Sequence, residues 1–266
     1  MITDVIPFGL QLLKTEDLDP IYSALVRTED LDRRTLNRWL LVYWCFYDAG
    51  VASFIAESDS AESFWTWMFV AAKNEERPPV GERWKRGAER RHFRGELAMK
   101  SVEDLHARYR DFPEQMAEIC ANRPPGRPAE VREIFRKVKT HVGFGDWIAF
   151  KIADMIDRVM KRSVDFDEGS VFMFKDPVKG AAMVRERYGV PDAVAYLQEA
   201  LGHRAAPPSY DRPVGIQEIE TVLCKWKSHV NGRYPVGKDT REIREGVQPW
   251  LGVSPLARRF AEALPS

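Results

Sequence analysis

The sequence predicts a mainly α protein. Apolar residues recur at helical intervals through most of its 266 positions, runs of alternating β-branched residues are scarce, and glycine and proline fall between the periodic stretches. Residues 30–47 read as a helix with Leu36, Trp39, Leu40 and Tyr43 on one side. Asp48-Ala49-Gly50 is a break, and a second helix follows from Val51. Residues 60–72 form the next, with Ser60 as N-cap and Phe64, Trp67 and Met68 facing inward. Pro78, Pro79 and Gly81 open an irregular basic stretch that ends at Gly95. Helices follow at 101–109 and 112–120, then a proline-rich loop at 123–128. Two helices, 129–140 and 146–160, flank a tight turn. Pro177 and Gly180 break the chain before short helices at 181–188 and 191–201. Residues 205–213 are loop-like, 216–227 are helical, a loop punctuated by glycine and proline follows, and 255–263 is the last helix. The expected organisation is a helical core over 1–204, with its hairpin near 141–147, and a C-terminal helical segment over 205–266 packing on that core.

Composition excludes several classes. Forty basic and forty acidic side chains cancel, so any nucleic-acid surface must be local. Cys45, Cys120 and Cys224 are sparse and odd in number, with no CxxC pair, which fits a reducing cytoplasm better than a disulfide or zinc scaffold. The N-terminal residues lack the pattern of a signal peptide. No uncharged run approaches membrane-spanning length. A cytoplasmic protein is expected. No G-x-x-x-x-G-K-[ST] loop occurs, which argues against a nucleotide kinase of that class.

Four stretches carry possible chemistry. The first is His141-Val-Gly-Phe-Gly-Asp-Trp147 between the paired helices. Gly143 and Gly145 permit positive φ and close backbone approach, and the free amides at the next helix's start attract anions. The second runs from Arg77 to Gly95 and holds Arg83, Lys85, Arg86, Arg90, Arg91 and Arg94 beside Trp84, His92 and Phe93. Basic side chains interleaved with aromatics suit a phosphate-rich ligand, although a solvated helix face reads much the same. In the third, residues 164–177, Asp165, Asp167 and Glu168 adjoin an apolar run that raises proton affinity, with Lys175 and Lys179 nearby. Asp167 also fits an N-cap, so Asp165 is the functional candidate. The fourth is Cys224-Lys-Trp-Lys-Ser-His229, where helical spacing puts Lys225 and His229 on one face. It too reads as an ordinary amphipathic helix.

The hairpin, followed at the right interval by Val164-Asp165, resembles the helix-hairpin-helix DNA glycosylases. There the Gly-x-Gly turn grips the DNA backbone and an aspartate faces the flipped nucleotide. Taken together, Glu89-Arg-Arg-His-Phe-Arg-Gly95, Phe144-Gly-Asp-Trp-Ile-Ala-Phe-Lys151, Asp165, Val171-Phe-Met-Phe-Lys-Asp-Pro177 and Cys224–His229 resemble a narrower family over residues 36–239. This is the bacteriophage α-glutamyl/putrescinyl thymine pyrophosphorylases, or amino acid:DNA transferases. The resemblance implies a glycosylase-like helical core and a step in thymine hypermodification. In that step the amine of an amino acid or polyamine displaces pyrophosphate from 5-pyrophosphoryloxymethyl-uracil in DNA.

Its implied partners are double-stranded DNA carrying the modified uracil, the free amine and the DNA kinase of the same pathway, in the host cytoplasm. No resident cofactor is implied; Mg2+ accompanying the pyrophosphate is the one ion to consider. Asp165, His92 and His229 are the expected acid–base groups. Arg90, Arg91, Arg94, Lys175, Lys225 and Lys227 are expected to bind substrate or pyrophosphate, and Gly143, Gly145, Trp147 and Lys151 to touch DNA. Glycosylases that form a Schiff base carry a lysine where this chain has Asp146-Trp147, so strand-cleaving lyase activity is not expected. The competing readings are a monofunctional glycosylase for a modified pyrimidine and a non-catalytic DNA-binding subunit of a 5-hydroxymethyluracil DNA kinase.

Overall fold

Residues 2–266 are described by a computed structural model, and helices dominate it as the periodicity predicts. In chain order they are α1 (Val5–Thr15), α2 (Pro20–Arg27), α3 (Arg33–Phe46), α4 (Ala49–Ala56), α5 (Ala61–Lys73), α6 (Gly95–Tyr109), α7 (Gln115–Ala121), α8 (Val131–Val138), α9 (Asp146–Arg158), α10 (Glu168–Val171), α11 (Lys175–Tyr188), α12 (Ala193–Leu201), α13 (Ile216–Val230), α14 (Lys238–Val247) and α15 (Pro255–Ala263). Two residue pairs, β1 (Ala129–Glu130) and β2 (Val164–Asp165), lie parallel with Ala129 opposite Val164.

Local chemistry sets most boundaries. Ser60 accepts from Ser63 N–H and caps α5 as expected. The apparent break at Asp48 is a helix start: its carboxylate accepts from Val51 N–H and caps α4. Asp167 caps α10 in the same way. Pro177 does not break the chain, because it falls in the first turn of α11, where a missing N–H costs little. Gly180 is needed for contact rather than for a turn. A Cβ there would lie 2.1 Å from the carbonyl oxygen of Leu223, so α11 and α13 approach backbone to side-chain-free backbone. Helices α1, α2 and α14 lie outside the sequence assignments.

Two apolar cores form. One gathers α2–α9 with Val247, Trp250 and α15; Trp39, Trp44, Phe46 and Phe64 are fully buried in it. The other joins α1 to α11, α12 and α13 around Phe8, Leu12, Leu197 and Trp226. The C-terminal residues therefore serve both: α13 lies in the second core, while α15 returns to pack on α2 and α4 of the first.

The paired helices α8 and α9 meet at the expected tight turn. His141 fastens it, its Nδ1–H facing Val138 O at 2.9 Å and its Nε2 facing the Tyr109 hydroxyl at 2.7 Å. Gly143 has φ +79°, and Gly145 forms the N-cap of α9. Arg90 locks the turn from behind. It is buried, donates to Gly143 O at 2.9 Å and Cys45 O at 3.1 Å, and lies over the Phe93 and Phe144 rings.

Gly180→Ala is expected to destabilise the protein by about 2–3 kcal/mol, because the opposing atom is backbone and cannot rotate away. Urea unfolding measures it; a loss under about 0.5 kcal/mol would show that α11 and α13 separate easily.

Candidate active site and family

Helix α9 carries Trp147, Lys151, Asp154 and Arg158 at intervals of four, three and four, hence on one face. That face looks into the seam between the two cores. There Arg158, buried, donates to Asp19 Oδ2 at 2.8 Å and to Pro207 O at 3.1 Å, and faces Asp154 at 3.5 Å and Glu218 at 3.3 Å. It also stacks 4.6 Å over the Tyr22 ring, whose hydroxyl donates to Asp154 at 3.0 Å. Arg212 completes the cluster through Glu218 at 2.8 Å and Asp157 at 3.1 Å. Isolated charges would not survive such burial; paired and hydrogen-bonded ones do.

Titration is strongly biased here. Burial pushes Asp154 up to about 6, against the pull of Arg158 and with help from Asp19. Glu220, on α13, is pushed up to about 7 by burial, partly offset by Lys151. Burial also works on Asp19, but Lys151, Arg158 and Lys225 outweigh it and hold its carboxylate below the usual range. Burial works against charged Lys151 in turn, and the acids around it, Asp19 first, keep its ammonium protonated.

Arg158, Asp157 and Arg212 line a cleft of their own; a second opens at Asp19 and Tyr22, and it meets a third at Asp48. These last two are the candidates. One, of about 260 Å³, is walled by Tyr22, Tyr43 and Tyr47 and edged by Asp19, Asp48, Glu89, Asp239 and Glu242. Tyr43 and Tyr47 stack at 4.4 Å, and Tyr47 meets Trp147 edge-on at 5.1 Å, so the aromatic wall runs onto the start of α9 at the hairpin. The other, of about 280 Å³, is lined by Arg83, Lys85, Arg86 and Arg94 with Trp84 and Asn74. Asp48 belongs to both. Arg86 is tied to the last carbonyls of α5, Ala71 O at 2.9 Å and Ala72 O at 3.2 Å. Burial and the neighbouring Arg94 push it down to about 10. Arg83, Lys85 and Arg94 make no ion pair among the described residues, so this cleft keeps its positive charge for a ligand.

The expected site residues divide accordingly. Arg94 lines the cationic cleft, and Arg91 and His92 are exposed nearby, with burial and then Arg90 and Arg91 lowering the His92 pKa. Arg90 is buried and lines neither cleft; its Nε and Nη1 go to Cys45 O and Gly143 O, and its Nη2 has no hydrogen-bond partner. His229 is removed as a base: Nδ1 faces Tyr234 O at 2.7 Å, Nε2 faces Ile2 O at 2.9 Å, and the ring stacks on Phe8. Lys225 is buried and donates to Asp17 O, to Tyr234 Oη and to Asp239 Oδ2. Lys227 pairs with Asp176 at 3.0 Å, and Lys175 is exposed at the start of α11. Lys151, half-buried, reaches Asp19 at 3.2 Å rather than projecting freely into solvent.

Asp165 is exposed on β2 opposite Glu130 and makes no side-chain hydrogen bond or ion pair among the described residues. It lines neither cleft; its spacing from the hairpin was matched, but the return of the chain along α9 sets where it lands. Asp19, Tyr22, Tyr47 and Glu220 belong to none of the motifs read from the sequence. No group of three or more His, Cys, Asp or Glu suited to a metal occurs among the described residues, and none of the described helices is long and apolar enough to cross a membrane.

The structure is that of a mainly helical protein in which an aromatic cleft with an acidic edge meets a cationic one at Asp48. The comparisons give the family. A family model described as amino acid:DNA transferase matches residues 13–233, and the chain belongs to that family. A glycinyltransferase of Pseudomonas phage PaMx11 is 48% identical over 282 aligned positions, covering 97% of this chain and 94% of that protein. A putrescinyltransferase of Delftia phage PhiW-14 is 27% identical over 240 positions, 85% of this chain and 72% of that protein. The protein is thus a transferase that acts on DNA with an amine donor.

Glu220→Gln should change the pH profile of stability. A carboxyl raised in the fold binds more protons folded than unfolded between its ordinary value near 4.5 and about 7, so its contribution falls as pH rises through that window. The variant should therefore gain on the wild type between pH 5 and pH 8, by on the order of 1–3 kcal/mol in urea unfolding. A constant difference across that range would place Glu220 in a more solvated setting.

Proposed function

We propose that this enzyme replaces the pyrophosphate of 5-pyrophosphoryloxymethyl-uracil in DNA with the amine of an amino acid, glycine being the donor that the phage PaMx11 relative's name supplies. The observation that carries the mechanism is the junction of the two clefts at Asp48. The α8–α9 hairpin grips the backbone in the manner of helix-hairpin-helix glycosylases, through the α9 N-terminus, where Gly145 leaves room for a phosphate. The target base leaves its stack at a cost of a few kcal/mol and enters the tyrosine-walled cleft next to Trp147. Its pyrophosphate then extends past Asp48 into the cleft of Arg83, Lys85, Arg86 and Arg94.

In the reaction a C–N bond forms between the amine and the exocyclic methylene carbon. The C–O bond to pyrophosphate breaks, and its electron pair leaves with that group. The unpaired cations stabilise the departing charge. The ammonium form of the donor must shed a proton before it attacks, and Glu89, Asp239 and Glu242 at the cleft edge are the acceptors in reach.

Incubation with pyrophosphorylated hydroxymethyluracil DNA and glycine, followed by nucleoside mass spectrometry, tests this. An aminomethyl adduct with released pyrophosphate is expected. An abasic site would establish a glycosylase instead, and unchanged DNA a binding subunit. Arg94→Ala should lower kcat/KM by roughly tenfold or more with little loss of duplex affinity. Asp165→Asn should leave the rate within about twofold; a tenfold fall would restore Asp165 to the mechanism and remove the tyrosine cleft from it.

A further inference from the structure

The edge of the tyrosine cleft is acidic, which suits an ammonium group and repels a carboxylate. An amino-acid donor carries both. A cation must therefore meet its carboxylate, and three lie behind the cleft floor around Asp19. Lys225 is saturated, its three N–H donors matched by Asp17 O, Tyr234 Oη and Asp239 Oδ2. Arg158 donates to Asp19 and Pro207 O and faces Asp154 and Glu218; its Nε–H has no hydrogen-bond partner, but it lines a different cleft, with Pro207 and Arg212. Lys151 differs. Its ammonium makes one hydrogen bond, to Asp19 at 3.2 Å, and so retains two unspent N–H donors. It sits 6.0 Å from the centroid of Tyr22, and both Asp19 and Tyr22 line the cleft. Lys151 lies one side chain behind that lining, and its side chain is 13% exposed.

Resting on the transferase reading above, we propose that Lys151 is the donor-specificity residue: it receives the amino acid's carboxylate at the cleft floor, while the donor's ammonium points back toward Glu89, Asp239 and Glu242 and the incoming base. Lys151 then meets the carboxylate from behind Asp19 and Tyr22 while Glu89, Asp239 and Glu242 face the ammonium, the pair of opposite charges a zwitterion requires. A diamine gains nothing from this lysine and is opposed by it.

The ionisation of the floor agrees. The surrounding acids, Asp19 first, outweigh burial and keep Lys151 charged, and Asp19 stays ionised between its cations. Moving part of the Lys151 donor capacity to a ligand does not unmake the Asp19–Arg158 pair.

The experiment compares glycine with glycinamide, the same amine without the negative charge, using pyrophosphorylated DNA and reading adduct by mass spectrometry. Wild type should favour glycine by at least roughly tenfold in kcat/KM, the worth of a charge-assisted contact. Lys151→Met should abolish that preference by losing glycine activity while keeping the glycinamide rate, and Lys151→Arg should retain it. Equal losses for both donors in a folded Lys151→Met, checked by circular dichroism, would overturn the assignment and make the lysine a support for Asp19.

Should that variant not fold, wild type alone decides. Acetate, a carboxylate with no amine, should compete with glycine, whereas acetamide should not; equal effects of the two overturn the proposal. If wild type forms no adduct from either donor, the transferase chemistry itself is at fault. Adduct formation without discrimination leaves that chemistry standing and removes Lys151 alone.

Discussion

The guanidinium of Arg158 sits where two apolar cores meet, and the active region depends on it. It comes from α9 of the first core, holds Glu218 of α13 in the second, and ties both to Asp19 in the turn between α1 and α2. A buried arginine with several carboxylates is not a strong source of net stability, since desolvation offsets most of the attraction. It does impose geometry. Planar donors in fixed directions give Asp19, Asp154 and Glu218 one arrangement each, and the clefts inherit that arrangement.

A second buried set acts on the same region. Asp17, fully buried, accepts from Tyr234 Oη at 2.7 Å, Gly237 N–H at 2.6 Å, and Thr240 N–H and Oγ1 at 3.2 Å each. Lys225 joins it and reaches Asp239. These contacts pin the start of α14, and with it Asp239 and Glu242, against the loop that carries Asp19. Helix α14 would otherwise be a short polar helix with little apolar surface to hold it.

Charge is separated over a short distance. Arg83, Lys85, Arg86 and Arg94 lie on one side of Asp48, while the acidic edge and tyrosine wall lie on the other. The equal totals of acidic and basic residues hide this partition. Arg90 links the parts mechanically, since it sits in the basic stretch yet donates from Nη1 to the hairpin turn and from Nε to Cys45 O. The α8–α9 turn and the cationic cleft thus share a rigid support.

What the sequence determined by itself was whatever local chemistry decides: helical class from periodicity, caps at Ser60 and Asp167, the glycine turn between α8 and α9, and the concentration of basic residues in the stretch that includes Arg94. Its motif text also pointed to the family that the comparisons establish. Tertiary structure decided which charges are free. Arg90, Lys225 and His229 look available in one dimension because their partners, Gly143 O, Asp17 O and Ile2 O, are backbone atoms distant along the chain and leave no mark in composition. Asp19 and Tyr22 went unnoticed for the converse reason, since they gain meaning only when α9 lays Lys151 and Arg158 beside them. Backbone acceptors and long-range pairing consume donors without requiring any particular residue type. The sequence can therefore nominate charged groups, and only the fold shows which remain unspent.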